Sequence, residues 1–392
     1  MKILVVAPHP FYQDRGTPMD VDLLVRALSA QGETVDLLTY HEGEDRQYSN
    51  VRSFRIWAPR WLKNIRPGFS IAKLLCDVSL LYSAWQLVRN NRYQVIHAGE
   101  EAVFIAMLFR FLYGIPYVYD MDSSIAQQLV EGSGFMRPLA PLLNWCEAKA
   151  IRHSAAVAAV CPALSRLADR RGARAVVTLH DVSQIEEGDV RAEWALRKQL
   201  EIDGILAMYV GNLESYQGID LLLDSFAMCR SKDANIELVI AGGQEDDIAR
   251  YRRKAERLRV GEYLHFIGPW PAEKLGHLLA CADILVAPRI KGINTPMKIF
   301  PYLHSGKPVL ATNLPTHTQT LDETVAALAA PEPVEFGLAM KELAENKVLR
   351  DRLGSAGKNL VETKHLYAHH ERRVRHLYDI VGAPGSVVPS QT

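Results

Sequence analysis

Several features of common protein classes are missing from this chain. The five cysteines are odd in number and scattered, without a Cys-x-x-Cys pair, which is typical of free buried thiols in a reducing compartment. No apolar run reaches the roughly 20 residues of a membrane-spanning helix. Lysine plus arginine and aspartate plus glutamate both number 45, so the basic excess of a general nucleic-acid-binding protein is absent. We therefore expect no nucleic-acid partner.

The glycine-rich and nucleophile motifs of several enzyme classes are also absent. Gly242 and Gly243 follow a predicted strand, but no complete G-x-G-x-x-G is present, which argues against a nicotinamide or flavin site. Lys307 is followed by Pro308 and lacks the upstream glycine of a P-loop, so ATP hydrolysis is not expected. No Gly-x-Ser-x-Gly elbow occurs, and the cysteines have no obvious activating partner.

Short apolar runs alternate with helical patterns along the whole chain. Strands are predicted at 3–7, 34–38, 53–57, 95–97, 116–120, 156–160, 175–179, 206–210, 236–241, 264–267, 284–287, 309–312 and 325–329. This alternation implies right-handed βαβ crossovers and parallel sheets. At 392 residues the chain is too long for one ordinary domain, and we predict two.

The domain boundary is predicted at a polar, acidic segment without apolar periodicity, residues 183–190. We predict an α/β protein with two Rossmann-like domains, 1–183 and 190–365. A C-terminal helix, 366–382, joins the first domain, and the Pro/Gly/Ser-rich tail 383–392 is frayed. Ligands of such sheets collect beyond the carboxyl ends of the strands, so we expect a ligand in a central cleft between the two domains.

Residues 289–312 form the segment with the clearest chemistry. An apolar strand runs into a basic loop, Asn294 or Thr295 can cap a helix, and Pro296 suits its first turn. A helix start after a parallel strand favours anions. Three cations surround this start: Arg289, Lys291 and Lys298. The segment therefore predicts a phosphate-bearing ligand.

Several segments, in order, resemble those of glycosyltransferase family 4, the retaining nucleotide-sugar transferases with the GT-B fold. They are Tyr209-Val-Gly-Asn-Leu, Gln217-Gly-Ile-Asp-Leu-Leu-Leu, Val239-Ile-Ala-Gly-Gly, Phe266-Ile-Gly, Ala282-Asp-Ile-Leu-Val-Ala-Pro, and a Gly-x-Pro-Val-x-Ala-Thr ending at Thr312. In the first half, Arg15-Gly16-Thr17-Pro18 stands where the family has a glycine-containing loop beside the diphosphate and the acceptor. A simple helix cap is the alternative interpretation of this loop.

The resemblance implies transfer of a sugar from a nucleotide diphosphate sugar to a hydroxyl acceptor, with retention of anomeric configuration. The implied donor-binding residues are Gly16, Thr17, Asn212, Gln217, Gly243, Arg289, Lys291, Asn294, Thr295 and Met297. Lys298 is the predicted catalytic cation that stabilises the leaving diphosphate. Because protein charges do this work, neither a metal nor a cofactor is expected to be required.

The chain departs from the family pattern at four donor-site positions. The family usually has an arginine and a lysine where this chain has Asn212 and Gln217, and two glutamates near positions 293 and 301, occupied here by isoleucine and proline. The second glutamate normally holds the ribose, so ribose contact must differ. We expect the cluster of Arg289, Lys291 and Lys298 to replace the missing positive charge.

Asp122 stands where the family has a histidine. A carboxylate there can stabilise oxocarbenium-like charge or bond a donor hydroxyl, which makes Asp122 the second predicted catalytic residue. The alternative is that Asp122 or Ser123 only caps the following helix. A second alternative is that Asp120-x-Asp122 holds a divalent metal, as this short motif does in the other large glycosyltransferase fold.

Arg15, Glu100 and Glu101 are the predicted acceptor-binding residues. The two glutamates follow a strand end, although an acidic pair at a helix start also suits the macrodipole.

A basic and aromatic segment at 57–73 predicts contact with an anionic membrane surface, with a solvated helix flank as the alternative. Its basic residues are Arg60, Lys63, Arg66 and Lys73, interleaved with Trp57, Trp61, Leu62, Phe69 and Ile71. The chain is thus predicted to be cytoplasmic and, where this contact forms, peripheral on the inner face of the cell membrane.

Two other functions remain open because the usual donor-site charges are missing. One is a non-catalytic GT-B protein that binds a sugar nucleotide or glycan, and the other is a GT-B nucleotide-sugar isomerase.

Overall fold

A computed structural model describes residues 1–13, 16–59, 61–63, 65, 70–132, 138–185, 196–232 and 234–383. The chain divides into two compact units. Unit 1 consists of Met1–Asp181 and Ala368–Thr392, and unit 2 of Val182–Tyr367. Most of the predicted linker at 183–190 and most of the predicted frayed tail at 383–392 lie outside the described residues.

Unit 1 is built on a seven-stranded parallel sheet with the strand order β3-β2-β1-β4-β5-β6-β7. The strands are β1 (Lys2–Val6), β2 (Thr34–Thr39), β3 (Val51–Arg55), β4 (Val95–Gly99), β5 (Tyr117–Met121), β6 (Ala156–Ala159) and β7 (Val176–Thr178). Ile3 of the central strand pairs with Val35 on one side and Val95 on the other. The central strands β1, β4, β5 and β6 are mostly buried on both faces, as expected of a parallel sheet covered by helices, whereas the edge strand β3 is partly exposed.

Helices cover both faces of this sheet. They are α1 (Gly16–Ala30), α2 (Ile71–Asn90), α3 (Ala102–Tyr113), α4 (Ile125–Gly132), α5 (Ala140–His153), α6 (Pro162–Arg170) and α14 (Tyr367–Gly382). Val21 of α1 and Val374 of α14 belong to one apolar cluster. The connection through α1 runs toward β3, whereas those through α2, α3 and α5 run toward β7. Right-handed crossovers therefore place α2, α3 and α5 together on the face opposite α1.

Unit 2 is built on a six-stranded parallel sheet with the order β10-β9-β8-β11-β12-β13. Its strands are β8 (Ile205–Val210), β9 (Ile236–Ala241), β10 (Leu264–Gly268), β11 (Ile284–Ala287), β12 (Val309–Thr312) and β13 (Ala327–Ala329). Its helices are α7 (Ile219–Arg230), α8 (Glu245–Arg257), α9 (Leu275–Ala280), α10 (Ile299–His304), α11 (Pro315–Thr318), α12 (Pro333–Glu345) and α13 (Lys347–Lys364).

The predicted fold class of two parallel-sheet α/β domains is confirmed. All thirteen predicted strands are present, with ends displaced by at most two residues. In each unit the strand order reverses once beside the first strand, between β1 and β4 in unit 1 and between β8 and β11 in unit 2. Loops beyond the carboxyl ends of strands at such a reversal are where open α/β sheets bind ligands. Glu100 follows β4, Asn212 follows β8 and Arg289 follows β11 at these reversals, whereas Asp122 follows β5 and Gly243 follows β9.

Candidate functional site

Lys298 is the central cation of unit 2. Its Nζ donates to Oε1 of Gln217 at 3.3 Å and lies 3.9 Å from the centre of the Tyr209 ring. Within the described chain, no carboxylate forms an ion pair with Lys298. Burial is the main cause that lowers the Lys298 pKa well below its usual value, and repulsion from Arg289 adds to it. A bound anion would relieve both costs.

Gly211 makes room for the Lys298 ammonium. It follows β8 with a φ of +148°, and a Cβ built on it would overlap Nζ of Lys298. The hydroxyl of Tyr302 anchors the preceding residue, because it accepts from the Val210 N–H at 2.6 Å and donates to the Val210 carbonyl at 3.2 Å. A residue with a side chain at position 211 would therefore displace the cation.

Arg289 is the second cation, and the loop after β11 holds it in place. The side chain is 9% exposed, so its contacts decide where the charge lies. Its Nε donates to the Lys291 carbonyl at 2.7 Å and its Nη2 to Oδ1 of Asn294 at 2.8 Å. The guanidinium lies 5.2 Å from the centre of the Tyr216 ring. Lys291, in contrast, is exposed.

Three side chains from the segment 312–319 fix the backbone of this cationic loop. Thr312 Oγ1 donates to the Arg289 carbonyl at 2.6 Å, and Thr316 Oγ1 donates to the Asn294 carbonyl at 2.7 Å. Gln319 Nε2 donates to the carbonyl of residue 293 at 2.7 Å. The loop is thus preorganised by bonds that the sequence reasoning did not anticipate, which keeps its cations in position before a ligand arrives.

The predicted helix start at Asn294 or Thr295 is wrong. Helix α10 begins at Ile299, after a turn in which the Ile299 N–H donates to the Pro296 carbonyl at 3.0 Å. Asn294 is engaged by Arg289, and Thr295 Oγ1 lies 3.1 Å from Thr320 Oγ1, so neither side chain caps a helix. Because α10 has only six residues, the attraction for an anion must come from the cations and not from its helix terminus.

The remaining predicted donor residues of unit 2 have different surroundings. Asn212 lies in the loop after β8, where its backbone carbonyl accepts a hydrogen bond from the Tyr209 hydroxyl at 2.6 Å. Gln217 is buried beside Lys298. Gly243 adopts a φ of +86° after β9, and Met297 is half-buried in the turn before α10. The structure thus brings Gln217, Arg289, Asn294 and Lys298 together, whereas Gly243 and Met297 have no polar side chain to offer.

In unit 1, four carboxyl groups interact at the carboxyl edge of the sheet. They are Asp20, Asp120, Asp122 and Asp181. Burial raises the Asp181 pKa to about 6, and burial together with repulsion from Asp181 raises the Asp20 pKa well above its usual value. Since Asp20 and Asp181 are hydrogen-bonded to each other, they share a proton. The sequence analysis did not single out Asp20.

Asp122 belongs to the same acidic cluster. Burial and repulsion from Asp120 raise its pKa well above the usual value, while a hydrogen bond from Thr17 opposes the shift. The alternative that Asp122 or Ser123 caps the following helix is not supported, because Ser124 Oγ accepts from the Gln127 N–H at 3.4 Å. Asp122 is therefore available for chemistry. Gly16, exposed at the first position of α1, precedes Thr17, and Arg15 lies outside the described residues.

Glu100 and Glu101, the predicted acceptor residues, both pair with Lys73 of α2. Lys73 Nζ lies 2.6 Å from Oε1 of Glu101 and 3.5 Å from Oε2 of Glu100. Burial and the neighbouring Glu100 raise the Glu101 pKa to about 7, although Lys73 opposes this shift. Glu101 precedes α3 without forming a side-chain cap. An acceptor hydroxyl would therefore have to share these carboxylates with Lys73.

His97, near the end of β4, joins three elements beside this cluster. Its Nε2 lies 3.1 Å from Oδ2 of Asp120, and its Nδ1 lies 3.0 Å from the Tyr378 hydroxyl of α14. Among the described residues, no group of three or more His, Cys, Asp or Glu side chains is arranged to hold a metal ion.

Two family models match most of the chain. "Glycosyl transferase 4-like domain" matches residues 15–197, and "Glycosyl transferases group 1" matches residues 192–360. Together these matches cover most of unit 1 and most of unit 2.

Curated relatives carry glycosyltransferase names. The chain is 24% identical to D-inositol 3-phosphate glycosyltransferase of Corynebacterium kroppenstedtii over 210 residues, which cover 51% of this chain and 46% of that protein. It is 23% identical to lipopolysaccharide 1,2-N-acetylglucosaminetransferase of Salmonella typhimurium over 190 residues, which cover 45% and 49% of the two chains. The chain thus spans less than half the length of these relatives.

Solved structures share the fold over nearly the whole chain. Sucrose-phosphate synthase from Thermosynechococcus elongatus superposes with a TM-score of 0.79 at 17% identity, covering 96% of this chain and 98% of that one. Anabaena HepE, solved with UDP and glucose, gives 0.74 at 16% identity, covering 97% and 99%. The parallel sheets and the two family matches, which together span residues 15–360, agree, and this chain is a GT4-type glycosyltransferase with the GT-B fold.

Proposed function

We propose that this protein transfers a sugar from a nucleoside diphosphate sugar to a hydroxyl acceptor, with retention of configuration at the anomeric carbon. The observation that carries the proposal is the Lys298 ammonium. It lies among polar and aromatic groups at a ligand-binding edge, its pKa is lowered by burial, and no described carboxylate pairs with it. A diphosphate is the kind of ligand that such a preorganised, uncompensated cation stabilises.

Lys298 takes over the task of the missing donor-site lysine in this proposal. The family resemblance assigns a lysine to position 217, and Lys298 Nζ lies 3.3 Å from the Gln217 side-chain oxygen. The ammonium thus reaches the same region from a different loop. Arg289, tied to Asn294, supplies a second positive charge nearby. As the bond to the sugar breaks, negative charge grows on the leaving diphosphate, and both cations stabilise it.

Asp122 acts on the sugar in this proposal. Its raised pKa means that a bound hydroxyl meets a carboxyl group that can either donate or accept a hydrogen bond. Its ionised form would stabilise positive charge that develops at the anomeric carbon. Thr17 orients Asp122 through its hydrogen bond. Glu100 and Glu101, both paired with Lys73, would receive acceptor hydroxyls.

The similar proteins suggest which donors and acceptors to test first. Because HepE was solved with UDP and glucose and shares the fold, UDP-sugars are the first donors to test. The names of the curated relatives point to inositol phosphate and lipopolysaccharide acceptors, so we propose a glycan or a lipid-linked polyol as the acceptor.

A donor panel with and without acceptors tests the proposal. The full chain is incubated with UDP-, GDP- and ADP-sugars, with glycan, inositol phosphate or lipid-linked acceptors, and released nucleoside diphosphate is measured. Acceptor-dependent release with an α-linked product from an α-linked donor supports a retaining transferase. Acceptor-independent interconversion of sugars would instead establish an isomerase. Thermal stabilisation by nucleotide without turnover of any pair would establish a non-catalytic binding protein.

A further inference from the structure

Helix α2 has two apolar sides, of which only one is used by the fold. Cys76, Leu80, Ala84 and Val88 repeat every four residues and pack inward. The other side is exposed along most of the helix, at Ile71, Leu74, Leu75, Val78, Leu81 and Tyr82. By length and composition α2 is also the one helix among the described residues that could cross a membrane. Its packed inner side shows that it is a surface helix of unit 1.

Helices α3 and α5 extend this exposed apolar surface. Phe111 on α3 is 87% exposed and Trp145 on α5 is 58% exposed, although large aromatic side chains are usually buried. The Trp85 Nε1 of α2 donates to the Tyr113 hydroxyl of α3 at 3.1 Å, and α3 packs against α5. The three helices lie on the same side of the sheet. We call their outer surface, with Trp57 and Trp61, the apolar face.

Trp57 and Trp61 continue the apolar face in the loop between β3 and α2. They are 76% and 72% exposed, and Ser79 Oγ of α2 donates to the Trp57 carbonyl at 2.7 Å. Most of the large apolar side chains that are exposed in the described chain belong to this face. An apolar area of this extent on one side of a soluble unit marks an interaction surface.

The charges of the apolar face have one sign. The two carboxylates of its helices turn inward, since Asp77 bonds the Tyr40 hydroxyl and Glu147 is fully buried against Arg171. The outward charged side chains are basic: Arg89, Lys149 and Arg152. Arg89 lies 4.9 Å from the centre of the Trp85 ring, and Lys149 lies 5.7 Å from that of Trp145.

We propose that the apolar face docks on an anionic lipid bilayer. Exposed tryptophan and tyrosine rings interleaved with cations suit the headgroup region, and the aliphatic rows of α2 and α3 suit the acyl boundary beneath it. A second copy of this chain fits less well, because two such faces would bring like charges together. The proposal extends the predicted contact at 57–73, of which Arg60, Arg66 and Phe69 lie outside the described residues, to α2, α3 and α5.

Vesicle flotation of the full chain tests this docking without reference to sugar transfer. The vesicles are pure phosphatidylcholine or phosphatidylcholine mixed with phosphatidylglycerol. We expect recovery with the anionic vesicles only, and loss of recovery for the double variant Val78→Glu, Phe111→Glu. The matched control is Val348→Glu, Leu338→Glu, which changes two exposed apolar residues of unit 2 and should float like the wild type. Since all four side chains are exposed, unchanged circular dichroism should accompany each variant.

A charge series gives an independent measurement. Arg89→Gln and Lys149→Gln should each lower the partition coefficient onto anionic vesicles about fivefold, the equivalent of about 1 kcal/mol per cation near the surface. Equal recovery of the wild type and the Val78→Glu, Phe111→Glu variant would overturn the proposal, as would no recovery of the wild type. A concentration-dependent dimer that this double variant abolishes, without vesicle binding, would assign the face to a second copy instead.

Discussion

The carboxyl edges of the two sheets carry opposite kinds of ionisable group, acidic in unit 1 and basic in unit 2, although the strand order reverses in the same way in both units. In unit 1 Asp20, Asp122 and Asp181 lie close together. Burial and repulsion between neighbouring carboxylates raise the pKa values of all three. In unit 2 the equivalent loops bring Arg289 and Lys298 together, and their repulsion helps to lower the Lys298 pKa. The fold thus provides a place for ligands, and the loop residues decide which charge each place accepts.

This contrast divides the proposed chemistry between the units. The basic edge of unit 2 is suited to the diphosphate, and the acidic edge of unit 1 to hydroxyl groups and to developing positive charge. Variants that weaken one edge should leave the other function intact.

Lys298→Met should weaken UDP binding at least about 30-fold, because removing one partner of a close, partly buried charge pair costs about 2–5 kcal/mol. Isothermal titration calorimetry at neutral pH measures the affinity. Lys291→Met is the matched control in the same loop. Because the Lys291 side chain is exposed, this variant should weaken UDP binding about threefold or less. Equal affinities of Lys298→Met and the wild type would refute the diphosphate role.

Asp122→Asn should lower turnover about 30-fold while UDP affinity stays within about threefold of the wild type. Removing a sole electrostatic group typically lowers turnover about 100-fold. We expect a smaller loss here because Asp120 remains nearby to stabilise positive charge. Steady-state kinetics and calorimetry on the same preparation separate the two quantities. Asp169→Asn, at an exposed carboxylate of unit 1, serves as the control. A large loss of UDP affinity with unchanged turnover would reverse the assignment of the two edges.

Gly211→Ala should weaken UDP binding about tenfold, because its Cβ would occupy the position of Lys298 Nζ and a flexible lysine can only partly withdraw. Gly261→Ala provides the comparison, since its Cβ would project into open space. Titration of both variants with UDP measures the difference. If both bind UDP as the wild type does, the geometry of Lys298 is not what determines affinity.

Asp181→Asn should stabilise the protein at pH 8 by about 1 kcal/mol and have little effect at pH 4. The Asp181 pKa is raised to about 6 in the folded state, so its contribution to stability is present at low pH and is lost as pH rises from about 4 to 6. We expect a smaller stabilisation than the Asp181 pKa shift alone would give, because Asp20 keeps the proton that the two carboxyl groups share. Urea unfolding at several pH values measures it, and a gain that does not vary with pH would contradict the shared-proton account.

Secondary structure was largely predictable because the buried strands are short, apolar and separated by turn residues. All thirteen predicted strands are present. The exception with chemical consequences is the start of α10, where Asn294 and Thr295 look like caps in the sequence. In the structure Arg289 donates a hydrogen bond to the Asn294 side chain, and the Thr295 hydroxyl is hydrogen-bonded to that of Thr320. These tertiary hydrogen bonds override the local capping preference.

The candidate site was predictable only in part. Arg289 and Lys298 were found because a basic, glycine-containing loop after a parallel strand is typical of an anion-binding site. Tyr209 lies far from Lys298 in sequence, and no local pattern predicts that its ring supports the ammonium. Thr312, Thr316 and Gln319 stabilise the loop through its backbone carbonyls, and such bonds depend on distances that a linear pattern does not contain.

By itself the amino-acid sequence determined the two α/β units, their parallel strands and the family, because hydrophobic periodicity and strand-to-loop motifs act over short distances along the chain. Tertiary structure alone decided that Asp20 meets Asp181, that Lys298 reaches Gln217 and that Glu101 pairs with Lys73. Burial and charge proximity set the protonation of these groups. Both depend on which loops the sheet brings together, and residues remote in the chain become neighbours only when it folds.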